Sequence, residues 1–502
     1  VQDHSRSALN ADRRRRELSD LGDRNDVDVL VIGGGITGVG TALDAASRGL
    51  RTVLVDSRDL AFGTSRWSSK LAHGGLRYLA SGNVGIARES AVERGILMTR
   101  TAPHLVRALP QLVPLLPSVS LFEKTLVRVG FLAGDALRAT ARTPSSVLPR
   151  SRRIDAGQAV RLAPTVRRDG LRGGLLAYDG QLVDDARLVV ALARTAAAHG
   201  ASILTRVGAY DVTGDTARLR DELTGEELTV RPRAVVNAAG VWAGRVDPDI
   251  RLKPSRGTHL VLPAALLGNP TAALTVPIPG ETNRFVFALP AQLGRVYLGL
   301  TDEAVDGPVP DVPTPSEHEI GFLLDTVNTA LATPIARTDV LGAFAGLRPL
   351  LDSGDGATAD LSRNHAVLHS STGVISVVGG KLTTYRKMAQ DAVDSAVAAS
   401  GLSAGPCVTT RLPAVGAEAV PSRNLPASLV ARYGSEASLV AAAGDPTPIA
   451  DGIDVTHAEL AFAVSHEGAL DVDDLLDRRT RIGLVADDRD RAVAAAERAL
   501  GG

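Results

Sequence analysis

DVLVIGGGITGVGTALDAASRGLRTVLVD, residues 28–56 of a 502-residue chain, sets two apolar runs on either side of a run of small residues. Val29 to Ile32 reads as a buried strand. It stops at Gly33-Gly34-Gly35, and a small-residue helix follows through Ala46, with Gly49 in the position of a C-terminal cap. Val53 to Val55 is a second strand, ended by Asp56. The spacing is the dinucleotide fingerprint in its structural setting: Gly33-x-Gly35-x-x-Gly38, strand before, helix after, and a carboxylate roughly 20 residues further on. Gly33 permits the tight turn and Gly35 lets backbone amides approach a pyrophosphate. Gly38 and Ala42 let the helix lie close against the sheet. Ile36 and Thr37 open that helix, whose N-terminus adds free N–H groups and partial positive charge. Asp56 is placed to accept hydrogen bonds from a ribose. The fingerprint alone does not choose between FAD and NAD.

The length implies about two or three domains. With 44% hydrophobic and 22% charged residues the chain has ample core-forming material, and a net charge of −1 argues against bulk nucleic-acid binding. One cysteine, Cys407, excludes an internal disulfide framework, a thiolate zinc site and a cysteine-ligated cluster, and no metal ligands are assigned. The longest uncharged run, Leu260 to Gly280, is broken by Pro263, Pro270, Pro277 and Pro279, so it does not read as a spanning helix. Any membrane contact is therefore expected to be peripheral. Arginine is the default cation, which draws attention to the rare lysines, Lys70 and Lys381 among them.

Residues 1–25, with Arg13 to Arg16 in a row, read as a disordered basic arm. After the fingerprint, Gly63 to Tyr78 is rich first in hydroxyls, then in glycine, and gathers Lys70, His73, Arg77 and Tyr78 in one short segment. Hydroxyls and amides suit a second contact with a dinucleotide; the basic residues suit a phosphorylated substrate. Residues 110–150 place an apolar segment beside arginines, a pattern of a core helix or of a lipid-surface element. Val183 to Val189 opens a helix with acids in its first turn, as the macrodipole favours, and Ala201 to Val207 is a strand. Val235 to Trp242 is another buried strand running into a turn at Gly240. From Leu252 to about Ala330 proline and β-branched residues predominate, with no helix-period run until Glu317, which predicts an antiparallel sheet. Arg348 falls in an apparent glycine–proline turn. Val374 to Arg386 is strand, glycine pair, then a helix start at Lys381-Leu382-Thr383. From about Ala404 the chain turns alanine-rich and helical.

SSKLAHGGLRYL, VDDARL, GLRPL, GGKLTTYRK and LLDRRTR, in that order after GGGITG, resemble the FAD-dependent sn-glycerol-3-phosphate dehydrogenases over about Asp28 to Asp488. The resemblance implies FAD and an α/β, Rossmann-like flavoprotein fold: a discontinuous FAD domain (26–100, 176–245 and 335–400), a β-sheet substrate domain (101–175 and 246–334) and a C-terminal helical domain (404–502). It implies oxidation of glycerol 3-phosphate to dihydroxyacetone phosphate, with electrons passed to a membrane quinone from the inner face of the cell membrane, and it allows a homodimer. Arg77, Arg348 and Lys381 would bind substrate, with Tyr78 and Arg363 beside them. Thr64, Ser65, Ser69, Lys70, Leu71, Val207, Gly240, Leu382 and Thr383 would line the flavin, adding to the fingerprint residues. Catalysis falls to Arg348 and Lys381, with His73 or His259 as base. Ser255-Arg256-Gly257-Thr258-His259 stands where many members have a lysine–glycine–serine–histidine run. The alternatives are an oxidase using oxygen and a flavin-binding protein without turnover.

No histidine or cysteine lies in a recognisable flavin-linkage motif, so the purified protein should be yellow and release free FAD on denaturation. Recovery of NAD, or of flavin that stays on the denatured chain, would contradict this reading.

Overall fold

The computed structural model describes residues 4–75, 83–117, 121–281, 284–352, 365–418 and 424–501, the side chains of 121–126 excepted. Arg77, Tyr78 and Arg363 lie outside these residues.

The fingerprint forms the elements its pattern dictates. Strand Asp26–Ile32 buries Val29, Leu30 and Val31 completely, and the helix Ile36–Ser47 packs Val39, Ala42 and Ala45 against it. Strands buried on both faces have no polar side to present, as in the parallel sheets of α/β proteins. Among the described residues this sheet has eight strands. Its main path runs His365–His369, Ile375–Gly379, Glu227–Asn237, Asp26–Ile32, Thr52–Asp56, Ser202–Thr205. The last five are mutually parallel, and a short antiparallel pair, Val207–Tyr210 with Ala217–Asp221, extends from its side.

A second sheet, ten-stranded among the described residues, carries the expected antiparallel segment in Ser255–Pro263, Ala273–Pro277, Phe285–Pro290 and Arg295–Gly299. It also takes strands that the sequence divisions give to the nucleotide part. Gly174–Leu182 pairs antiparallel with Val106–Pro114 along its whole length, and Gly342–Arg348 pairs antiparallel with Ser255–Val261. Arg348 therefore ends a strand, opposite Ser255, and does not sit in a turn; Pro349, which lacks an N–H to donate, follows it where the ladder stops. Helix Glu317–Asn328 comes between Arg295–Gly299 and Gly342–Arg348 in the chain, with Ser316 and Glu319 forming a capping box. Within 110–150, Leu112 and Val113 are buried in the strand Val106–Pro114, and among the described residues the large apolar side chains exposed to solvent are Val129 and Leu132 of the helix Leu121–Thr140.

The basic arm is a correction. Ala11–Asp23 is a helix, capped by Asn10, whose side chain accepts from the Arg13 amide at 2.9 Å. Helical spacing turns Arg14 and Leu21 to the same side, and both are buried. Arg14 donates to the Thr205 carbonyl at 2.7 Å and to Asp221 at 2.5 Å, while Arg13 pairs with Glu17 at 2.7 Å. A charge run that finds such acceptors folds, where an unpartnered run stays solvated.

The C-terminal part is helical as expected: His457–His466 and Ala486–Gly501 share one core beside a short strand pair, and Ala427–Tyr433 packs on Phe462 in a second. It is joined to the rest by buried charge. Arg187, on the helix Asp185–Ala198, makes a paired contact with Glu467 at 2.7 and 3.0 Å. Arg478 and Arg479 converge on Asp59 at 2.6, 2.7 and 2.9 Å. Arg194 pairs with Glu436 at 2.6 Å.

Burial alone would raise the Glu467 carboxyl, but the Arg187 guanidinium overcomes it and holds it below the usual range. Its contribution to stability is thus fully present above the unfolded glutamate value, about 4.3, and is lost as pH falls through the lower folded value. Glu467→Gln leaves Arg187 buried without a counter-charge and should cost about 3–5 kcal/mol. Calorimetry at pH 7 should show a clearly lower thermal midpoint. Between pH 5 and 3 the variant should lose less further stability than the parent; equal losses would contradict the assignment.

Candidate active site

The two sheets meet over one cavity of about 1240 Å³, lined by Gly33, Gly35, Ile36, Thr37 and Asp56 on the nucleotide side. Its backbone is built for close approach. Gly33 has φ +117°, and a Cβ there would lie 2.5 Å from the Ala238 carbonyl oxygen. At Gly38 a Cβ would lie 1.8 Å from the Gly33 oxygen, so helix and loop touch backbone to backbone. Gly38 is behind the wall, serving packing as the spacing predicts. Gly35, as N-cap, supplies no side-chain acceptor to the helix it opens. The Ile36 amide donates to Ser65 Oγ at 2.9 Å, tying the hydroxyl-rich loop to the helix start. Asp56 accepts from the Gly34 amide at 2.6 Å and the Arg58 amide at 2.7 Å, while burial raises its carboxyl above the ordinary range.

Thr64, Ser65, Ser69, Leu71, Val207, Gly240, Leu382 and Thr383 all border the same cavity. Thr64 Oγ1 donates to the Leu347 carbonyl at 2.7 Å, linking this loop to the strand that ends at Arg348. Lys70 is a correction. Its side chain is buried behind the wall and donates to Asp185 at 2.9 Å and to the Arg66 carbonyl at 2.8 Å. Burial pushes its amine down, against the pull of Asp185. Asp185 also accepts from the Ser68 amide and hydroxyl at 2.9 and 2.7 Å, so this acid of the first helical turn holds a loop as well as facing the helix dipole. A lysine rare in the sequence attracts a functional reading, but its carboxylate partner lies 115 positions on.

Arg348 and Lys381 reach the same cavity from different elements. Arg348 donates to Ser255 Oγ and Asp302 at 3.1 Å and to the Thr301 carbonyl at 3.0 Å. Lys381, just before the turn Leu382–Thr384, donates to Ser90 Oγ at 2.9 Å. Both histidines border the cavity, in different states. His73 is half-exposed, its Nδ1 3.2 Å from Asp179. Asp179 also accepts from Arg94 at 2.6 Å; burial would raise its carboxyl, but Arg94 and His73 hold it low. His259 is fully buried, stacked on Phe344 with ring centroids 4.9 Å apart, and its Nε2 lies 2.9 Å from Ser69 Oγ. Burial, then the charges of Lys70 and Arg348, pushes its imidazole well below the usual value and keeps it neutral. The supporting acids Asp179 and Asp302 carry no local sequence signal, since Asp179 meets Arg94 85 positions away and Asp302 meets Arg348 46 positions away.

A dinucleotide fits this donor set. The first turn of helix Ile36–Ser47 is open at an uncapped glycine. The indole nitrogens of Trp67 and Trp242, both on the cavity wall, are buried with no hydrogen-bond partner. Among the described residues no cluster could hold a metal ion, and no helix is long and apolar enough to cross a membrane.

Known proteins share this arrangement. Residues 28–386 match the sequence model of the FAD dependent oxidoreductases, and 371–501 match that of the C-terminal domain of alpha-glycerophosphate oxidase. Glycerol-3-phosphate dehydrogenase 1 of Mycobacterium tuberculosis is 66% identical, with 98% of each chain covered. The mitochondrial glycerol-3-phosphate dehydrogenase of Arabidopsis thaliana is 36% identical, over 94% of this chain and 82% of that one. The solved glycerol-3-phosphate dehydrogenase of Bacillus halodurans, complexed with FAD, superposes with a TM-score of 0.74 at 26% identity, covering 97% of this chain and 94% of that one. Two matched regions, one for the cavity and one for the helices behind it, together with full-length relatives, place the chain among the FAD-dependent oxidoreductases, in the family of the glycerol-3-phosphate dehydrogenases.

Proposed function

We propose that the protein oxidises sn-glycerol 3-phosphate to dihydroxyacetone phosphate on FAD and passes the electrons to a membrane quinone. The observation that carries the reading is the pair of cations, Arg348 and Lys381, on a cavity wall shared with the Gly33–Thr37 phosphate loop. A phosphate dianion beside a secondary alcohol asks for fixed cations, and arginine offers two parallel donors.

FAD, when bound, supplies the hydride acceptor. The chain's own residues do the rest. Arg77, Tyr78 and Arg363, which lie outside the described residues, are assigned to the phosphate by the family resemblance alone. Arg348, fixed by Asp302 and Ser255, and Lys381, fixed by Ser90, stabilise negative charge on the alcohol oxygen as hydride leaves carbon. His73 takes the hydroxyl proton, oriented by Asp179 as a general base is oriented by a carboxylate. His259, neutral and wedged against Phe344, supports the wall beside it.

The helix Leu121–Thr140, with Val129 and Leu132 outward, is the surface that touches lipid at the inner face of the cell membrane. Of the arginine run, the second candidate for that role, Arg13 and Arg14 are held by internal partners and Arg15 and Arg16 remain exposed. A second reading, oxygen as acceptor, is favoured by the match of residues 371–501 to an oxidase domain. Reoxidation of reduced enzyme with quinone and with air separates them: the quinone reading requires quinone to be much the faster.

Arg348→Ala and Lys381→Ala should each retain FAD yet slow its reduction at saturating substrate on the order of a hundred-fold. Arg77→Ala should weaken substrate binding and leave the saturated rate nearly intact. Single-turnover bleaching across substrate concentration checks both. Wild-type rates at saturation in the first two variants would reduce them to phosphate ligands.

A further inference from the structure

The cavity has an arm that the substrate chemistry does not use. One lateral row crosses the second sheet through Phe344, His259, Gly299, Phe287 and Thr275, each opposite the next in register. Neighbours in register share a face of a sheet. The row therefore leads from the end that holds Arg348 to an end that is apolar. There the wall is Phe285, Phe287 and Val113, and the roof is Phe131 and Ala133 from the helix Leu121–Thr140. The charges nearest this wall are neutralised: Arg284 is paired with Glu281 at 2.5 Å, and Asp179, on the next strand, with Arg94 at 2.6 Å.

Two polar atoms interrupt the apolar wall. Thr275 is 5% exposed and its hydroxyl has no hydrogen-bond partner; the amide nitrogen of Gln111 is likewise shielded and unpartnered. Both residues border the cavity. They sit on adjacent parallel strands, with Gln111 opposite Ala273, two residues before Thr275, so they present to one face. Buried donors without partners cost stability, and two on one cavity wall ask for a ligand that satisfies them. Both can donate, so the complement is a molecule with carbonyl oxygens and an otherwise apolar body. A sugar phosphate does not fit such a wall. The arm also opens where it should for a ligand dissolved in lipid: Val129 borders the cavity and is 57% exposed on the outer side of the roof helix.

We infer that this arm binds the electron acceptor as a quinone headgroup, with Thr275 and Gln111 donating to its ring carbonyls under the helix Leu121–Thr140. The inference rests on the quinone reading above and gives that acceptor its own subsite. The redox balance closes without another reactant. The secondary alcohol loses two electrons and two protons on becoming a ketone. The quinone gains two electrons and two protons, and its two carbonyl oxygens become hydroxyls. Thr275 can donate to the carbonyl and accept from the hydroxyl that replaces it.

The test uses the flavin-loaded enzyme with Thr275→Val, Gln111→Leu and Gly130→Phe. A Cβ at Gly130, on the roof, meets nothing within 4 Å, so the larger ring enters the arm without displacing the helix. Anaerobic bleaching by glycerol 3-phosphate should keep its rate in all three. The KM for a short-chain benzoquinone should rise roughly three- to ten-fold in each of the first two variants, the worth of one hydrogen bond, and more in the third. Reoxidation by ferricyanide should not change. The thermal midpoint of Thr275→Val should not fall, since an unpartnered hydroxyl has been removed. A photoreactive azidobenzoquinone should label the peptides 106–114, 121–140 or 273–277, and excess unlabelled quinone should suppress the label. If the parent enzyme turns over quinone but all three variants keep its KM, or the label falls elsewhere, the subsite is wrong and the quinone reading stands. If quinone fails to reoxidise the parent, that reading falls and the subsite with it.

Discussion

A seam of buried arginines behind the cofactor loop is the constraint on which this molecule depends. Arg187, Arg478, Arg479 and Arg481 come from two parts of the chain, and their acceptors, Asp59, Asp184 and Glu467, are fully buried. Bringing such charges out of water costs about as much as their mutual attraction returns, so the seam adds little net stability. What it adds is position. Arg481 donates to the Arg66 carbonyl at 2.6 Å and lies over the ring of Trp67, a residue of the cavity wall. Asp59 stands at the start of the same loop. The C-terminal helices thus hold the loop Asp59–Lys70 from behind, while Ser65 and Thr64 hold it from the front.

The second sheet divides the labour along one face. Small residues keep its centre low: Gly299 lies under the His259 ring, where a Cβ would come within 2.2 Å of it. Arg348 and Asp302 lie at one side of the sheet and Asp179 with Arg94 at the other, and Phe285, Phe287 and Val113 lie on the strands between them. Register alone produces this separation, because strands far apart in sequence, such as Gly342–Arg348 and Ser255–Pro263, are laid side by side.

Much of this was legible in the sequence where the chemistry is local. The fingerprint, the helix start after Lys381 and the antiparallel run from Leu252 each depend on neighbours within a few residues. What escaped depends on long-range partners. Arg14 reads as part of a solvated block until Asp221 and the Thr205 carbonyl are brought to it. Lys70 reads as a cofactor ligand until Asp185 claims it. Arg348 looks like a turn residue from its glycine and proline flanks, yet its strand is fixed by pairing with Ser255–Val261. Asp179 and Asp302 belong to no motif, and only the folded chain brings Arg94 to the one and Arg348 to the other.

The seam also bears on the order of events during synthesis. The parallel sheet already waits for Ile375–Gly379 to join Glu227–Asn237, and the loop Asp59–Lys70 waits longer, for Glu467 to Arg481. Until those residues have emerged from the ribosome, the nascent chain can present a phosphate loop but not a finished cavity. A finished site therefore needs the C-terminal helices in place, because Arg479 and Arg481 close the loop Asp59–Lys70 from behind.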